Sequence, residues 1–250
     1  MGTLNTSLIK SPAPVVVKDE VRSTNDVAAV LAREGAPHLT CVVANSQTAG
    51  RGRLGRTWAT LPDHSLAVSF VIRDMPDELA LVACLSLRRA LHTLTGQWAD
   101  VKWPNDLQWQ EQKLAGILTE GIVTNEQRVF ILGIGININL PATGIPQGLT
   151  MATVSQMHVP APQREDVLNA LIAQLDKDTK ILRKQGFNAF YEAYTSACVT
   201  LGKPVTWQNG DKAIVGTAEK ITPRGGLVLN TEAGEVECLA GDIVAQAQSA

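Results

Sequence analysis

The change of pattern near Leu201 constrains the fold more than any other feature of this 250-residue chain. Before it, apolar β-branched runs alternate with segments of helical periodicity. After it, short strands are separated by turn sequences, which are Asn209-Gly210, Arg224-Gly225-Gly226 and Ala233-Gly234. About fifty residues of this kind predict a small β-barrel or partly open sheet of SH3-like size. We therefore expect two domains, residues 1–199 and residues 200–250.

The first 199 residues contain the predicted helices and the longer strands. A helix is predicted from Ser23, an N-cap residue by type, to Arg33. Residues 1–14 are expected to form a loose arm that ends in prolines, and residues 140–159 a loop interrupted by proline and glycine. Further helices are predicted at 76–94, 164–184 and 187–198, and strands at 15–17, 39–44, 65–72, 98–103, 107–109, 114–123 and 129–140.

Composition and charge favour a soluble, cytoplasmic protein without a nucleic-acid partner. Charged residues make up 18% of the chain and the formal net charge is -2, so no basic surface is expected to attract nucleic acid. The four cysteines are isolated, with no His at zinc-ligand spacing, which favours small buried residues in a reducing compartment. No signal peptide is recognisable, and no stretch approaches the roughly 18 apolar residues of a membrane span.

A loop rich in glycine and arginine is the first segment that indicates chemistry. It reads GRGRLGRTW at 50–58. Glycines let backbone N–H groups come close to a ligand, and arginines offer fork-shaped donors to phosphate or carboxylate. Trp58 adds a flat face for a heterocycle. A lone loop of this kind is more often a solvated surface turn, so its interpretation as a mobile cover over an anionic, nucleotide-like ligand depends on the segments that follow.

Two further segments supply polar groups around a predicted hairpin. The segment KWPND ends in Asn105 and Asp106, which can bind a base edge, a metal or an incoming amine, although the same residues also make ordinary turns. The segment KLAG begins at Lys113, and its distance along the chain can return that lysine to Asp106 across the hairpin. Gly116 indicates close backbone approach to a ligand. The alternative is a solvent-facing lysine and a bulge glycine.

The segment GIGININ at 133–139 is not a dinucleotide fingerprint. Ile138 stands in place of the third glycine, and a strand carries the segment where a helix would be required. The chain also lacks a P-loop signature, and no cluster of side chains predicts a metal site. Any nucleotide must therefore be held in another way.

These segments occur in the order and spacing of biotin protein ligases, and the chain resembles that family from about Ser23 to Asn139. The motifs are Ser-Thr-Asn from Ser23, GRGRLGRTW, KWPND, KLAG and the Gly-Ile-Asn that ends at Asn137. The β-rich tail fits the family's C-terminal domain. The resemblance implies an α/β (α+β) fold, in which a mixed β-sheet catalytic domain flanked by helices is followed by a small C-terminal SH3-like β-barrel domain.

Enzymes of this family join biotin to ATP, which forms biotinyl-5′-AMP and pyrophosphate, and then pass the biotinyl group to a lysine of a biotin carboxyl carrier protein domain. The resemblance implies biotin as substrate, with ATP and Mg²⁺. The matching biotin-binding positions are Ser23, Thr24, Asn25, Gln47, Gly50, Arg51, Gly52, Arg53, Lys113 and Gly116. The matching ATP or adenylate positions are Arg51, Arg53, Arg56, Trp58, Asn105, Lys113 and Asn137.

The catalytic positions implied by the resemblance are Lys113, Asp106 and Arg53. Lys113 matches the lysine that contacts the biotin carboxylate and the phosphate. Asp106 would orient the acceptor lysine and accept its proton, and a metal-linked role for it stays open. Trp58 would stack on adenine.

The sequence departs from some relatives at both ends. Certain members carry an N-terminal helix-turn-helix and act as biotin-sensing repressors, whereas only about twenty residues precede Ser23 here, so we expect no operator binding. Gly-Asp-Ile at 241–243 resembles the family's last strand. The following Val244-Ala245-Gln246 lacks the basic residue that some members place there to meet the nucleotide, which leaves a tail contact with ATP unsupported. An exposed strand edge would serve either a homodimer or the carrier domain.

Two other functions stay open on the sequence alone. A lipoate or octanoate ligase or transferase shares the catalytic fold and a reactive-site lysine, but those families lack the loop that ends in Trp58 and the KWPND segment. A non-catalytic biotin or nucleotide sensor would keep the same binding residues. The presence of both Lys113 and Asp106 favours the enzyme.

Overall fold

The computed structural model describes residues 4–141 and 150–245, and a seven-stranded sheet dominates it. The strands of this sheet are β1 (Val15–Val21), β2 (Cys41–Gln47), β3 (Ser65–Arg73), β4 (Asp100–Lys102), β5 (Asp106–Trp109), β6 (Gln112–Thr124) and β7 (Gln127–Asn137). Their order across the sheet is β1-β2-β3-β7-β6-β5-β4. β1 runs parallel to β2 and the other pairs are antiparallel, so the mixed sheet implied by the resemblance is confirmed.

Helices cover both faces of this sheet. They are α1 (Thr24–Arg33), α2 (Leu79–Thr95), α3 (Val154–Met157), α4 (Arg164–Gln185) and α5 (Tyr191–Ala197). Val71 of β3 packs in a cluster with Ala28 and Ala32 of α1, whereas Phe70 points into the larger core that contains α2 and α4. Because both of its faces are covered, β3 is an almost uninterrupted apolar run, as central strands usually are. None of the described helices is long and apolar enough to cross a membrane.

A smaller antiparallel sheet follows and packs against the first part of the chain. Its strands are β8 (Pro204–Asn209), β9 (Lys212–Ile221), β10 (Leu227–Thr231), β11 (Gly234–Cys238) and β12 (Asp242–Ala245), in the order β11-β10-β9-β8-β12. The buried Trp103 indole N–H donates a hydrogen bond to the Gly225 carbonyl at 3.0 Å, and the Tyr191 hydroxyl donates to the Ile221 carbonyl at 2.7 Å. The expected small C-terminal β domain is confirmed.

Several local predictions agree with the structure. Ser23 caps α1 by accepting a hydrogen bond from the Asn25 N–H, and Gly96 ends α2 in the left-handed conformation at φ 70°. The β5–β6 turn lies at Gln110 and Glu111, both with positive φ, as a tight hairpin turn requires. All four cysteines are buried, in agreement with the sequence.

The predicted loose arm is wrong for the described residues 4–14. A 3₁₀ turn spans Thr6–Leu8, and Leu4 is buried in the core. The Asn5 N–H donates to the Glu165 carboxylate and the Asn169 amide donates to the carbonyl of Leu8, so two residues of α4 fix the arm. These partners lie about 160 residues along the chain, where local sequence carries no signal of them.

Three other element predictions need correction. The strand predicted at 98–103 is only Asp100–Lys102, because Trp98 stacks on His92 with 3.6 Å between ring centroids and lies outside the sheet. The helix predicted at 187–198 breaks at Phe190 into a 3₁₀ turn and α5. The loop predicted at 140–159 contains α3, and its residues 142–149 lie outside the described part of the chain.

Candidate active site

A cleft opens on the face of the large sheet that α1 only partly covers. About 730 Å³ of space lies within it, part of which is open solvent. Part of its floor is formed by glycines, because Gly116 of β6 pairs with Gly135 of β7 and Gly133 lies two residues before Gly135. A Cβ atom placed on Gly135 would lie 2.5 Å from two atoms of the Trp58 indole, and one on Gly133 would lie 3.1 Å from Cγ of Asn25. The glycines therefore let these side chains lie directly on the strand backbone.

The polar wall of the cleft is the N-terminus of α1 together with the end of β2. The Thr24 N–H donates a hydrogen bond to Oε1 of Gln47 at 2.8 Å, and the Thr24 hydroxyl lies 3.1 Å from the same oxygen. The Gln47 amide donates in turn to the Thr60 hydroxyl at 3.0 Å. These bonds fix the directions in which Thr24 and Gln47 present polar groups to the cleft.

Lys113 and Asp106 form an ion pair across the β5–β6 hairpin, with 2.8 Å between Nζ and Oδ1. A β-bulge shifts the register so that Lys113 pairs with Gln108. Without the shift Leu114 would stand opposite Gln108, and the Lys113 side chain would point to the other face of the sheet. The bulge therefore places the lysine beside the aspartate, and the proximity expected from their spacing is confirmed.

Arg51 is the first arginine of the Gly/Arg loop, and two carboxylates hold it. It pairs with Asp26 of α1 at 2.7 Å and with Glu120 of β6 at 3.1 Å. Desolvation lowers the pKa of Arg51, but the hydrogen bonds to Glu120 and Asp26 outweigh it and leave that pKa above its ordinary value. The loop is thus closed onto the cleft by paired charges.

Arg53 and Arg56 bind the C-terminal sheet, where Asp242 at the start of β12 faces the cleft. Arg53 Nη1 lies 3.2 Å from the Asn105 amide oxygen and 3.5 Å from Asp242, and Arg56 pairs with Asp242 at 2.6 Å. Burial lowers the pKa of Arg53, although Asp242 and Asp106 oppose that effect. Asp242 is an acidic contact that the sequence-based interpretation missed, although the Gly-Asp-Ile motif contains it. Gln246 lies outside the described residues.

Most of the residues proposed from the sequence line this one cleft. They are Ser23, Thr24, Asn25, Gln47, Arg51, Gly52, Arg53, Arg56, Trp58, Asn105, Asp106, Lys113 and Gly116. Gly50 and Asn137 are not among the lining residues. The Gly50 carbonyl accepts from the Trp58 N–H at the base of the loop, and the buried Asn137 amide donates to the Lys113 carbonyl at 3.2 Å. Both residues therefore support side chains that line the cleft.

Fold and cleft together define a class of protein: an α/β enzyme without a P-loop, in which a basic loop covers a glycine floor beside a paired lysine and aspartate. Family models agree with that class. The biotin/lipoate A/B protein ligase family matches residues 17–137, and the biotin protein ligase C terminal domain matches residues 200–245. The chain belongs to the biotin/lipoate A/B protein ligase family, as the motifs indicated.

Individual proteins are similar over most of the chain. The bifunctional ligase/repressor BirA of Bacillus spizizenii is 30% identical over 238 residues, which cover 92% of this chain and 73% of that protein. The biotin–[acetyl-CoA-carboxylase] ligase of Paracoccus denitrificans is 33% identical over 85% of this chain and 92% of its own. A structure of biotin protein ligase from Aquifex aeolicus in complex with biotin and ATP has a TM-score of 0.80 at 30% identity and covers 92% of this chain and 97% of that one.

Proposed function

We propose that this protein activates biotin with ATP to form biotinyl-5′-AMP and then transfers biotin to a lysine of a biotin carboxyl carrier protein domain. The observation that carries the proposal is the Lys113–Asp106 pair, which lies beside a glycine floor and under a loop of three arginines. The similar Paracoccus protein is named as a biotin ligase, and the similar Aquifex structure holds biotin and ATP.

The first step brings two anions together. An oxygen of the biotin carboxylate attacks the α-phosphorus of ATP, a new C–O–P link forms, and pyrophosphate leaves. Lys113, Arg51 and Arg53 border the cleft, so their fixed positive charges would offset the repulsion and stabilise the crowded phosphorus. The loop would keep water from the mixed anhydride, which hydrolyses readily.

Mg²⁺ would accompany the nucleotide. Among the residues that the structure describes, no group of three His, Cys, Asp or Glu could hold a metal ion. Two carboxylates, Asp106 and Asp242, nevertheless border the cleft. One or two carboxylates plus phosphate oxygens are a set that Mg²⁺ commonly accepts. When bound, the ion would neutralise part of the phosphate charge.

The second step is aminolysis. The acceptor lysine nitrogen attacks the acyl carbon of the adenylate, an amide bond forms, and AMP leaves. An ammonium group cannot attack, so the lysine must first lose a proton, and Asp106 would accept it. Asp106 pairs with Lys113, so the acceptor lysine would meet the adenylate beside this pair.

The remaining cleft residues would divide the ligand between them. Thr24, Asn25 and Gln47 offer polar groups for the ring system of biotin, and the backbone at Gly116 would lie against it. Trp58 would stack on adenine. We further propose that the chain divides between residues 199 and 200, so that Asp242 belongs to the C-terminal domain and reaches the catalytic one.

A transfer assay tests the proposal. A purified carrier domain is incubated with the protein, ATP, Mg²⁺ and biotin, and biotinylation is detected with streptavidin. We expect ATP-dependent labelling and biotin-dependent exchange of pyrophosphate into ATP. Exchange driven by lipoate or octanoate and not by biotin would support the rival ligase. Binding of biotin without exchange or transfer would support a sensor.

A further inference from the structure

Glu120 connects the polar wall of the cleft to the loop that covers it. It lies on β6, outside every motif that the sequence highlighted. Its Oε2 accepts a hydrogen bond from the Asn25 amide at 2.5 Å and another from Arg51 Nη2 at 3.1 Å, and Oε1 lies 3.3 Å from the same arginine nitrogen. One carboxylate therefore contacts a residue that faces the ligand and a residue of the cover.

Asn25 is held firmly at its other end. Its Oδ1 accepts from the hydroxyl of Ser69 at 2.5 Å, and Ser69 is fully buried on β3. The Asn25 side chain also lies against Gly133, where a Cβ atom would collide with its amide oxygen. Because Ser69 and Gly133 belong to the central sheet, Asn25 has little freedom, and its amide nitrogen presents a fixed donor to Glu120.

Arg51 has less support than Asn25. Its side chain is 39% exposed, and its partners Asp26 and Glu120 are 45% and 37% exposed. Asp26 lies in the first turn of α1, where the helix dipole stabilises an acidic residue whether or not the loop is closed. Glu120 differs from Asp26 in that it also binds the fixed Asn25, so its carboxylate is oriented before Arg51 arrives.

We propose that Glu120 is a positioning residue that links the ligand-facing Asn25 to the Gly/Arg loop and holds that loop closed through Arg51. The inference rests on the proposed function, since it places the adenylate beneath this loop. The fixed Asn25 orients the Glu120 carboxylate, and the oriented carboxylate holds Arg51 and the loop over the adenylate. Loss of the carboxylate charge therefore shortens retention of the adenylate.

Glu120→Gln separates the two contacts of this residue. The amide oxygen of glutamine still accepts from Asn25, but the charge that holds Arg51 is gone. We expect biotinyl-5′-AMP to leave about three- to tenfold faster, the size of a partly exposed, charge-assisted contact. The rate is measured by rapid filtration of labelled adenylate. We also expect faster amide hydrogen exchange in the loop 50–58 of the unliganded protein, while the kcat of adenylate formation changes less than the release rate.

Glu126→Gln is the matched control. It removes one exposed negative charge in the turn after β6, away from the residues that line the cleft, and should leave release and loop exchange unchanged. Arg51→Gln also removes the pair with Asp26, so it should raise loop exchange at least as much as Glu120→Gln does. The double variant should be no worse than the more affected single one. If Glu120→Gln does not fold, Arg51→Gln is compared with Asp26→Asn, which keeps the Glu120 contact, and the inference requires a smaller effect in Asp26→Asn.

The inference is overturned if Glu120→Gln releases adenylate at the parent rate and its loop exchange is unchanged. It is also overturned if the effects of Glu120→Gln and Arg51→Gln are fully additive. A parent protein that forms no adenylate would refute the proposed function instead. In that case hydrogen exchange of the unliganded loop still decides whether Glu120 holds Arg51, so the two failures are distinguishable.

Discussion

Gly135→Ala tests whether the floor of the cleft must stay free of side chains. The change adds one methyl group, and its Cβ would lie 2.5 Å from two atoms of the Trp58 indole. Carbon atoms in normal contact are about 3.5–4.0 Å apart, so the indole must retreat by roughly 1 Å or more. The backbone of Gly135 does not have positive φ, so alanine is compatible with β7 and the fold should persist.

The expected loss is in the use of ATP. Stacking of a base on an aromatic side chain contributes about 1–3 kcal/mol, and a misplacement of about 1 Å near a reacting group can cost about 10²-fold. We therefore expect kcat/KM for ATP in biotin-dependent pyrophosphate exchange to fall by about 10–100-fold. Biotin affinity measured without ATP should change less, because the Thr24–Gln47 wall is untouched.

Gly121→Ala is the control for this experiment. It lies on the neighbouring strand β6, where a Cβ would meet Arg128 at an ordinary 3.5 Å. Both variants should melt within a few degrees of the parent, which separates an effect on the site from an effect on stability. A Gly135→Ala protein with parental kcat/KM for ATP would refute the placement of Trp58 as the adenine platform.

Three further predictions concern Lys113, Arg53 and His38. Lys113→Ala should lower pyrophosphate exchange by about 10²–10³-fold, as removal of one preorganised donor does, and parental exchange would show that its role is wrong. Arg53→Gly removes the contacts to Asn105 and Gly241 and should release adenylate faster, so equal retention by rapid filtration would count against it. Burial, reinforced by the positive charge of Arg183, lowers the pKa of His38 to about 4. The neutral ring therefore contributes fully to the stability of the fold above pH 6.5, and this contribution is lost as the pH falls from 6.5 toward 4. With allowance for solvent screening of this half-buried ring the loss is about 1–2 kcal/mol. His38→Gln should flatten that part of the profile of unfolding free energy against pH, and an unchanged profile would contradict the role of His38.

The parts of the fold that sequence predicted are those with local signals. Apolar runs and caps located α1, α2, α4 and the long strands, since periodicity and N-cap chemistry act within a few residues. The Lys113–Asp106 contact was predictable because a hairpin folds the chain back over a short span. The bulge that orients Lys113 was not, since a one-residue register shift leaves no compositional mark.

The parts that sequence missed join distant segments. Glu120 and Arg51 are 69 residues apart, and Arg53 and Gly241 are 188 apart. Their contacts depend on the placement of β7 between β3 and β6 and on how the small sheet packs, neither of which can be read from a local pattern. The sequence displays Asp242, but it does not show that Asp242 pairs with Arg53 and Arg56 of the loop.

The most direct measurement is a crystal structure of the protein with biotinyl-5′-AMP bound. We expect the biotin ring system near Thr24 and Asn25, the phosphate within hydrogen-bonding distance of Lys113, and adenine against the Trp58 indole. An adenylate bound elsewhere, with the Lys113–Asp106 pair facing solvent, would contradict the proposed site.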